Sequence, residues 1–142
     1  MTTTLLLLGE KGLIALQSLD KNTSETIDMV VIGTDKNVQN DYSAALQNWC
    51  TENNIAFTFD DSVISSDYLI AIGWRKMLTV ADHQKLIVLH DSLLPKYRGF
   101  NPLVTALING DKTIGVTALF GVKEYDRSDI IAYEKIDIQY PI

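Results

Sequence analysis

Four short stretches with apolar centres, each ending at or just before a glycine or a polar residue, restrict the folds open to this chain. They are Leu5–Leu8, Asp28–Gly33, Tyr68–Gly73 and Leu86–His90. Continuous apolar runs of this length are typical of strands buried on both faces of a parallel sheet. Helical patterns separate them, and the clearest one starts from Asp41 as N-cap, so right-handed crossovers are expected. The pattern predicts an α/β fold with a Rossmann-like open, mainly parallel sheet and helices on both faces.

The last third of the chain predicts a mixed end to this sheet. Two strand-like runs, Ile114–Phe120 and Ile130–Ile138, are joined by only nine residues. So short a link fits an antiparallel hairpin rather than a crossover. Before them, Asn101 as N-cap, Pro102 as the first helical residue and Gly110 just past the end predict a helix.

Chain length and net charge limit the classes of function that are compatible with the sequence. A chain of 142 residues fits one domain with a real core. Its net charge of −6 argues against a nucleic-acid backbone as the main partner, because phosphate binding needs a basic face. No apolar run approaches membrane-spanning length, and the first residues lack the pattern of a signal peptide. We therefore expect a cytoplasmic protein that binds neither nucleic acid nor membrane.

Cysteine and histidine counts indicate neither a disulfide nor a metal site. The single cysteine, Cys50, falls on the apolar face of the helix predicted after Asp41, where a core position is expected. Two histidines give no zinc-ligand spacing. A reducing compartment fits this composition best.

Several residues with useful chemistry fall at predicted strand ends, where open α/β sheets bind ligands. His90 can act as a general acid or base, or be a strand-end histidine that is bonded to backbone, and position alone leaves both interpretations open. Its neighbours Asp91 and Ser92 do not complete a hydrolase triad, because adjacent residues in an extended chain point to opposite sides. We expect them to bond turn backbone.

Three other motifs each have two interpretations. Gly9 and Gly12 suggest a dinucleotide loop, but the third glycine is missing and a tight turn fits better. Trp74 and Arg75 can stack on a flat ligand and pair with its anion, or Trp74 can cap the core. The triplet Lys96-Tyr97-Arg98 is either an exposed turn or an anion-binding loop.

The stretch HDSLLPKYRG, from His90 to Gly99, resembles the folate-dependent formyltransferase family. The likeness continues through Phe100–Phe120 and Tyr125–Ile131, and GWRKM, at Gly73–Met77, looks like the sugar-nucleotide branch. Family members transfer a formyl group from N10-formyltetrahydrofolate to an amine. The resemblance implies that N10-formyltetrahydrofolate is the cofactor. It also implies that the substrate is a small-molecule amine on a nucleotide-linked amino sugar. The resemblance is compatible with a homodimer.

The resemblance also implies roles for individual residues. A histidinium stabilises the oxyanion that forms when the amine attacks the formyl carbon, and a carboxylate orients the ring and helps to move the proton. The implied residues are His90 and Asp126 for catalysis, Trp74, Arg75 and Tyr125 for the folate, and Ser92, Lys96, Tyr97 and Arg98 for the acceptor; no metal ligand is implied.

Two departures from the family pattern qualify this expectation. The family places an asparagine two residues before its histidine, and this chain has Val88 there. Losing one oxyanion donor costs about a hundredfold or more in rate. The chain stops at Ile142, so we expect a single formyltransferase-like domain over 1–142 that lacks the family's C-terminal continuation. The alternatives are a catalytically weak or inactive folate- or nucleotide-binding module on the same fold and, less specifically, a hydrolase using His90.

Overall fold

The computed structural model describes residues 1–62, 64–76, 78–94, 96–97, 102–121 and 130–140. They form two compact units, residues 1–86 and 87–142, and hydrogen bonding orders the seven strands β3-β2-β1-β4-β5-β6-β7. The elements in chain order are β1 (Thr3–Leu7), α1 (Gly9–Gln17), α2 (Lys21–Ser24), β2 (Met29–Ile32), α3 (Ser43–Glu52), β3 (Phe57–Thr58), β4 (Tyr68–Ile72), β5 (Lys85–His90), α4 (Pro102–Ile108), β6 (Thr113–Phe120) and β7 (Ile130–Asp137).

The first unit contains the parallel part of the sheet. Strand β1 pairs in parallel with both β2 and β4, and β2 pairs in parallel with β3. Residues 5–7 of β1 and 30–32 of β2 are all buried, which explains why these strands are apolar without alternation. The parallel strands predicted from the apolar runs Leu5–Leu8, Asp28–Gly33 and Tyr68–Gly73 are therefore confirmed.

Helix α3 is the amphipathic helix predicted after Asp41, and it buries Leu46 and Cys50 completely. Its beginning was predicted wrongly. Tyr42, at a φ of +61°, occupies the N-cap, while the Asp41 carboxylate accepts hydrogen bonds from the backbone N–H groups of Ser43 (3.0 Å) and Asp35 (3.0 Å). The Ser43 bonds, followed by that of Asp35, lower the pKa of Asp41. Asp41 thus stabilises the turn before the helix, because its carboxylate bonds nearby backbone N–H groups from a position that is not the N-cap.

The buried position of Cys50 predicts slow thiol chemistry. Burial raises the pKa of this thiol from 9.0 to about 11, so the folded protein holds about a hundredfold less thiolate near neutral pH. We expect reaction with a thiol-specific disulfide reagent at pH 8 to be at least about a hundredfold slower in buffer than in denaturant. Equal rates in the two solutions would contradict this burial.

The second unit is antiparallel. Strand β6 pairs with β5 on one side and with β7 on the other, so the predicted hairpin and the mixed end of the sheet are confirmed. Together with the parallel first unit, this confirms the predicted α/β class with a mainly parallel sheet. Among the described residues, no helix is both long enough and apolar enough to cross a bilayer.

Helix α4 follows its predicted signals at both ends. Pro102 is its first residue, and Asn101, its predicted N-cap, lies outside the described residues. Gly110 has a φ of +70°, its N–H donates to the Leu107 carbonyl, and the Asp111 N–H donates to the Ala106 carbonyl. This pair of bonds is the Schellman ending that a left-handed glycine permits.

Candidate active site in the second unit

His90 is the last residue of β5 and its side chain is nearly enclosed, with 4% of the residue exposed. Its Nε2 lies 2.9 Å from the backbone carbonyl oxygen of Tyr97. A carbonyl oxygen can only accept a hydrogen bond, so Nε2 carries a proton and donates it. The neutral ring therefore has its lone pair on Nδ1, which is the nitrogen that gains a proton when the imidazolium forms.

Strand geometry places Val88 beside His90. Residues two apart in a strand share a face, and directly opposed residues of an antiparallel pair also share one. His90 is opposite Thr117 and Val88 is opposite Leu119, so these four side chains line one face of the β5–β6 pair. The position of the missing family asparagine is thus on the same face as the histidine.

The loop after His90 is held onto β6 by Thr117, which is 1% exposed. Its hydroxyl donates to the Ser92 carbonyl oxygen at 2.7 Å and accepts the Leu94 N–H at 3.1 Å. Two residues before it, Gly115 leaves room for Leu93: an added Cβ would lie 2.5 Å from Leu93 Cδ2 and 2.6 Å from the Glu134 carbonyl oxygen. The loop that follows His90 and strand β6, which carries Gly115 and Thr117, are therefore packed and hydrogen-bonded to each other.

We expect Thr117→Val to destabilise the protein by about 2–4 kcal/mol, because the change leaves two buried backbone groups of the loop without their partner. Thr117→Ser keeps the hydroxyl and serves as the matched control. Urea unfolding measures both variants. Equal stability of the valine and serine variants would show that the hydroxyl does not hold the loop.

The loop residues predicted to contact the acceptor also bond to one another. Ser92 is 4% exposed, and its hydroxyl donates to the Lys96 carbonyl oxygen at 2.5 Å. This bond agrees with the turn role expected of Ser92 from its position, and acceptor binding by Ser92, Lys96 and Tyr97 stays a prediction. The Lys96 ammonium reaches the Asp111 carboxylate at 3.0 Å and lies 5.1 Å from the centre of the Tyr97 ring.

Trp74 and Arg75 follow β4 in the first unit. The Trp74 indole packs against Gly33, where an added Cβ would lie 2.9 Å from its Cζ3. Its Nε1 is buried and has no hydrogen-bond partner among the described residues. The Arg75 side chain is 74% exposed, and its guanidinium is 3.6 Å from the Asp35 carboxylate. Trp74 therefore has a donor that none of the described residues accepts, and Arg75 has an accessible charge.

The remaining predicted site residues, Arg98, Tyr125 and Asp126, lie outside the described residues. Their roles stay predictions, as does any contact between His90 and Asp126. Within the described part of the chain, no three acidic, histidine or cysteine side chains are grouped so that they could hold a metal ion. Thr117 and Gly115 were missed as site residues, although they lie in the stretch Phe100–Phe120 through which the family resemblance continues.

Comparison with known proteins extends that resemblance. A family model described as formyl transferase matches residues 59–140. The methionyl-tRNA formyltransferase of Nitratiruptor sp. is 41% identical over 78 residues, covering 54% of this chain and 26% of that protein. The enzyme of the same name from Lactobacillus acidophilus is 54% identical over 50 residues, covering 35% of this chain and 16% of that protein. The chain thus spans about a quarter or less of these curated relatives.

Solved structures agree on the fold. The chain matches a phosphoribosylglycinamide formyltransferase from Anaplasma phagocytophilum with a TM-score of 0.71 and 18% identity, covering 100% of this chain and 74% of that one. A sugar 3N-formyl transferase matches with a TM-score of 0.68 and 21% identity, covering 97% of this chain and 52% of that one. Since the family model accounts for more than half of the sequence, including His90 and the strand that anchors its loop, the chain belongs to the formyl transferase family.

Proposed function

We propose that this protein transfers a formyl group from N10-formyltetrahydrofolate to a primary amine. The observation that carries the proposal is the enclosed His90 ring, fixed in one tautomer at the end of β5 within the part of the chain that matches the family. A histidine restrained in this way presents a defined nitrogen to a reacting group, which is a requirement of general acid–base catalysis.

In the proposed reaction, His90 donates a hydrogen bond to the formyl oxygen. The neutral amine attacks the formyl carbon, the carbonyl oxygen gains negative charge, and a second proton on the ring, at Nδ1, donates to it. Asp126 is proposed to accept the proton that the amine nitrogen loses. Collapse of the tetrahedral intermediate restores the carbonyl, breaks the bond to N10 and returns a proton to that nitrogen, which leaves tetrahydrofolate and a formamide.

The first unit offers groups that fit the folate donor. The buried Nε1–H of Trp74, which no described residue accepts, suits a ligand carbonyl, because a buried donor left unpaired costs free energy. The exposed guanidinium of Arg75 suits the carboxylates of the donor's tail. Tyr125 is proposed to complete this set.

The proposed acceptor is an amine on a nucleotide-linked sugar. The GWRKM segment and the structural match to a sugar 3N-formyl transferase favour it, and the net charge of −6 disfavours transfer RNA. Lys96 and Arg98 are proposed to face the acceptor's phosphates. The reaction is assigned to the cytoplasm, where a buried free thiol such as Cys50 is normally kept reduced.

A second candidate function is a folate-binding module that transfers formyl groups slowly or not at all. It is favoured by Val88, which lies on the face of β5 that carries His90 and cannot donate a hydrogen bond to an oxyanion.

A panel assay separates the two functions. The protein is mixed with N10-formyltetrahydrofolate and, in turn, a nucleotide-linked amino sugar, glycinamide ribonucleotide or methionyl-tRNA, and deformylation is followed by absorbance. Turnover with the amino sugar supports the proposed enzyme, and turnover with another acceptor only would reassign the substrate. Calorimetric binding of the folate without turnover favours the module. No folate binding overturns both functions.

A further inference from the structure

We propose that Tyr97 positions His90 through its backbone, by means of a left-handed conformation that aims its carbonyl oxygen at Nε2. This inference rests on the proposed function, since it assigns the other ring nitrogen, Nδ1, to the reaction. It differs from the acceptor-binding role expected of the Tyr97 side chain.

The backbone of Tyr97 has an unusual conformation. Its φ is +55°, in the left-handed region that a residue with a Cβ rarely adopts. From that turn its carbonyl accepts the Nε2 proton of His90 at 2.9 Å. A residue in an extended or right-handed conformation would turn the carbonyl in another direction, so the bond to His90 depends on this φ.

Side-chain contacts to the end of α4 hold Tyr97 in this conformation. Its hydroxyl accepts a hydrogen bond from Asn109 Nδ2 at 3.1 Å. The same hydroxyl donates to the Asp111 carboxylate and, with Lys96 as a second donor, lowers the pKa of that acid. Lys96 pairs with Asp111 at 3.0 Å. A strained backbone persists when its surroundings determine it in this way.

Asp111 is itself fixed by backbone bonds on both sides. Its N–H donates to the Ala106 carbonyl in the Schellman ending, and its carbonyl accepts the Tyr140 hydroxyl at 2.5 Å. The end of α4 is therefore a defined anchor for the loop. Through Tyr97 this anchor determines the tautomer of the histidine seven residues earlier.

Two variants isolate the backbone role. Tyr97→Gly and Tyr97→Ala both remove the ring and the hydroxyl, and they differ by one methyl group that disfavours a positive φ. Nitrogen-15 NMR of the imidazoles reports the tautomer of His90, and the exposed His83 is an internal control. We expect His90 to keep its proton on Nε2 in the glycine variant and to become a tautomer mixture in the alanine variant.

Kinetics provide the second measurement. We expect kcat of Tyr97→Ala to be about fivefold or more below that of Tyr97→Gly at equal KM, because the methyl group opposes the turn. Equal tautomers with equally raised KM in both variants would overturn the inference and return Tyr97 to acceptor binding. Thermal unfolding verifies that both variants are folded. The NMR comparison needs no turnover, so failure of formyl transfer in the unmodified protein would count against the proposed function alone.

Discussion

Replacing His90 with alanine is expected to lower formyl transfer from N10-formyltetrahydrofolate about a thousandfold. General acid–base groups contribute about a hundredfold to ten-thousandfold, and this ring is proposed to serve the oxyanion as well. Its 4% exposure and its bond to the Tyr97 carbonyl mean that water does not readily take its place in the same orientation. Steady-state rates at saturating donor measure the effect.

The histidine experiment has a natural control in His83, which is exposed and lies just before β5, seven residues before His90. His83→Ala should leave the rate unchanged. Because His90→Ala also removes a hydrogen bond, its urea unfolding is compared with that of the unmodified protein to separate loss of chemistry from loss of fold. A folded His90→Ala variant within tenfold of the normal rate would remove His90 from the reaction.

The second large predicted effect is an increase in the reaction rate. Val88→Asn is expected to raise the rate of formyl transfer about a hundredfold, which is the contribution of one oxyanion donor. The β5–β6 register supports this expectation, since residue 88 shares a face with His90. A half-buried amide in a strand that lacks a partner in the ground state costs about 1 kcal/mol of stability.

Ile87→Asn is the matched control for this gain. It introduces the same amide one residue earlier, on the opposite face of β5, where no increase is expected. Rates and folate affinities of both variants are compared. If Val88→Asn binds the donor and stays folded without any gain, position 88 does not supply the missing oxyanion donor.

Local patterns predicted the framework of the site because local physics determines it. The apolar runs of β1 and β2 become parallel strands buried on both faces. Pro102 and Gly110 mark the ends of α4, because proline has the φ of a first helical residue and glycine tolerates the positive φ that follows the last one. The position of His90 at a strand end follows from the same patterns. These features need no knowledge of distant contacts.

The contacts that complete the site could not be predicted in this way, since they depend on register across strands. Thr117 meets the Ser92 loop only because β5 and β6 pair with His90 opposite Thr117. Gly115 resembles any strand glycine until Leu93 is packed on it. The left-handed Tyr97 is contrary to local preference and is explained by the end of α4.

Transfer of an isotopic label from the folate donor to the amine tests the proposed formyl transfer. N10-formyltetrahydrofolate carrying carbon-13 in its formyl group is incubated with a nucleotide-linked amino sugar, and mass spectrometry measures the labelled formamide formed by three proteins. We expect more labelled formamide from Val88→Asn than from the unmodified protein, and more from the unmodified protein than from His90→Ala. Folded, folate-binding protein that transfers no label to this or any other amine, in all three forms, would contradict the proposed formyl transfer.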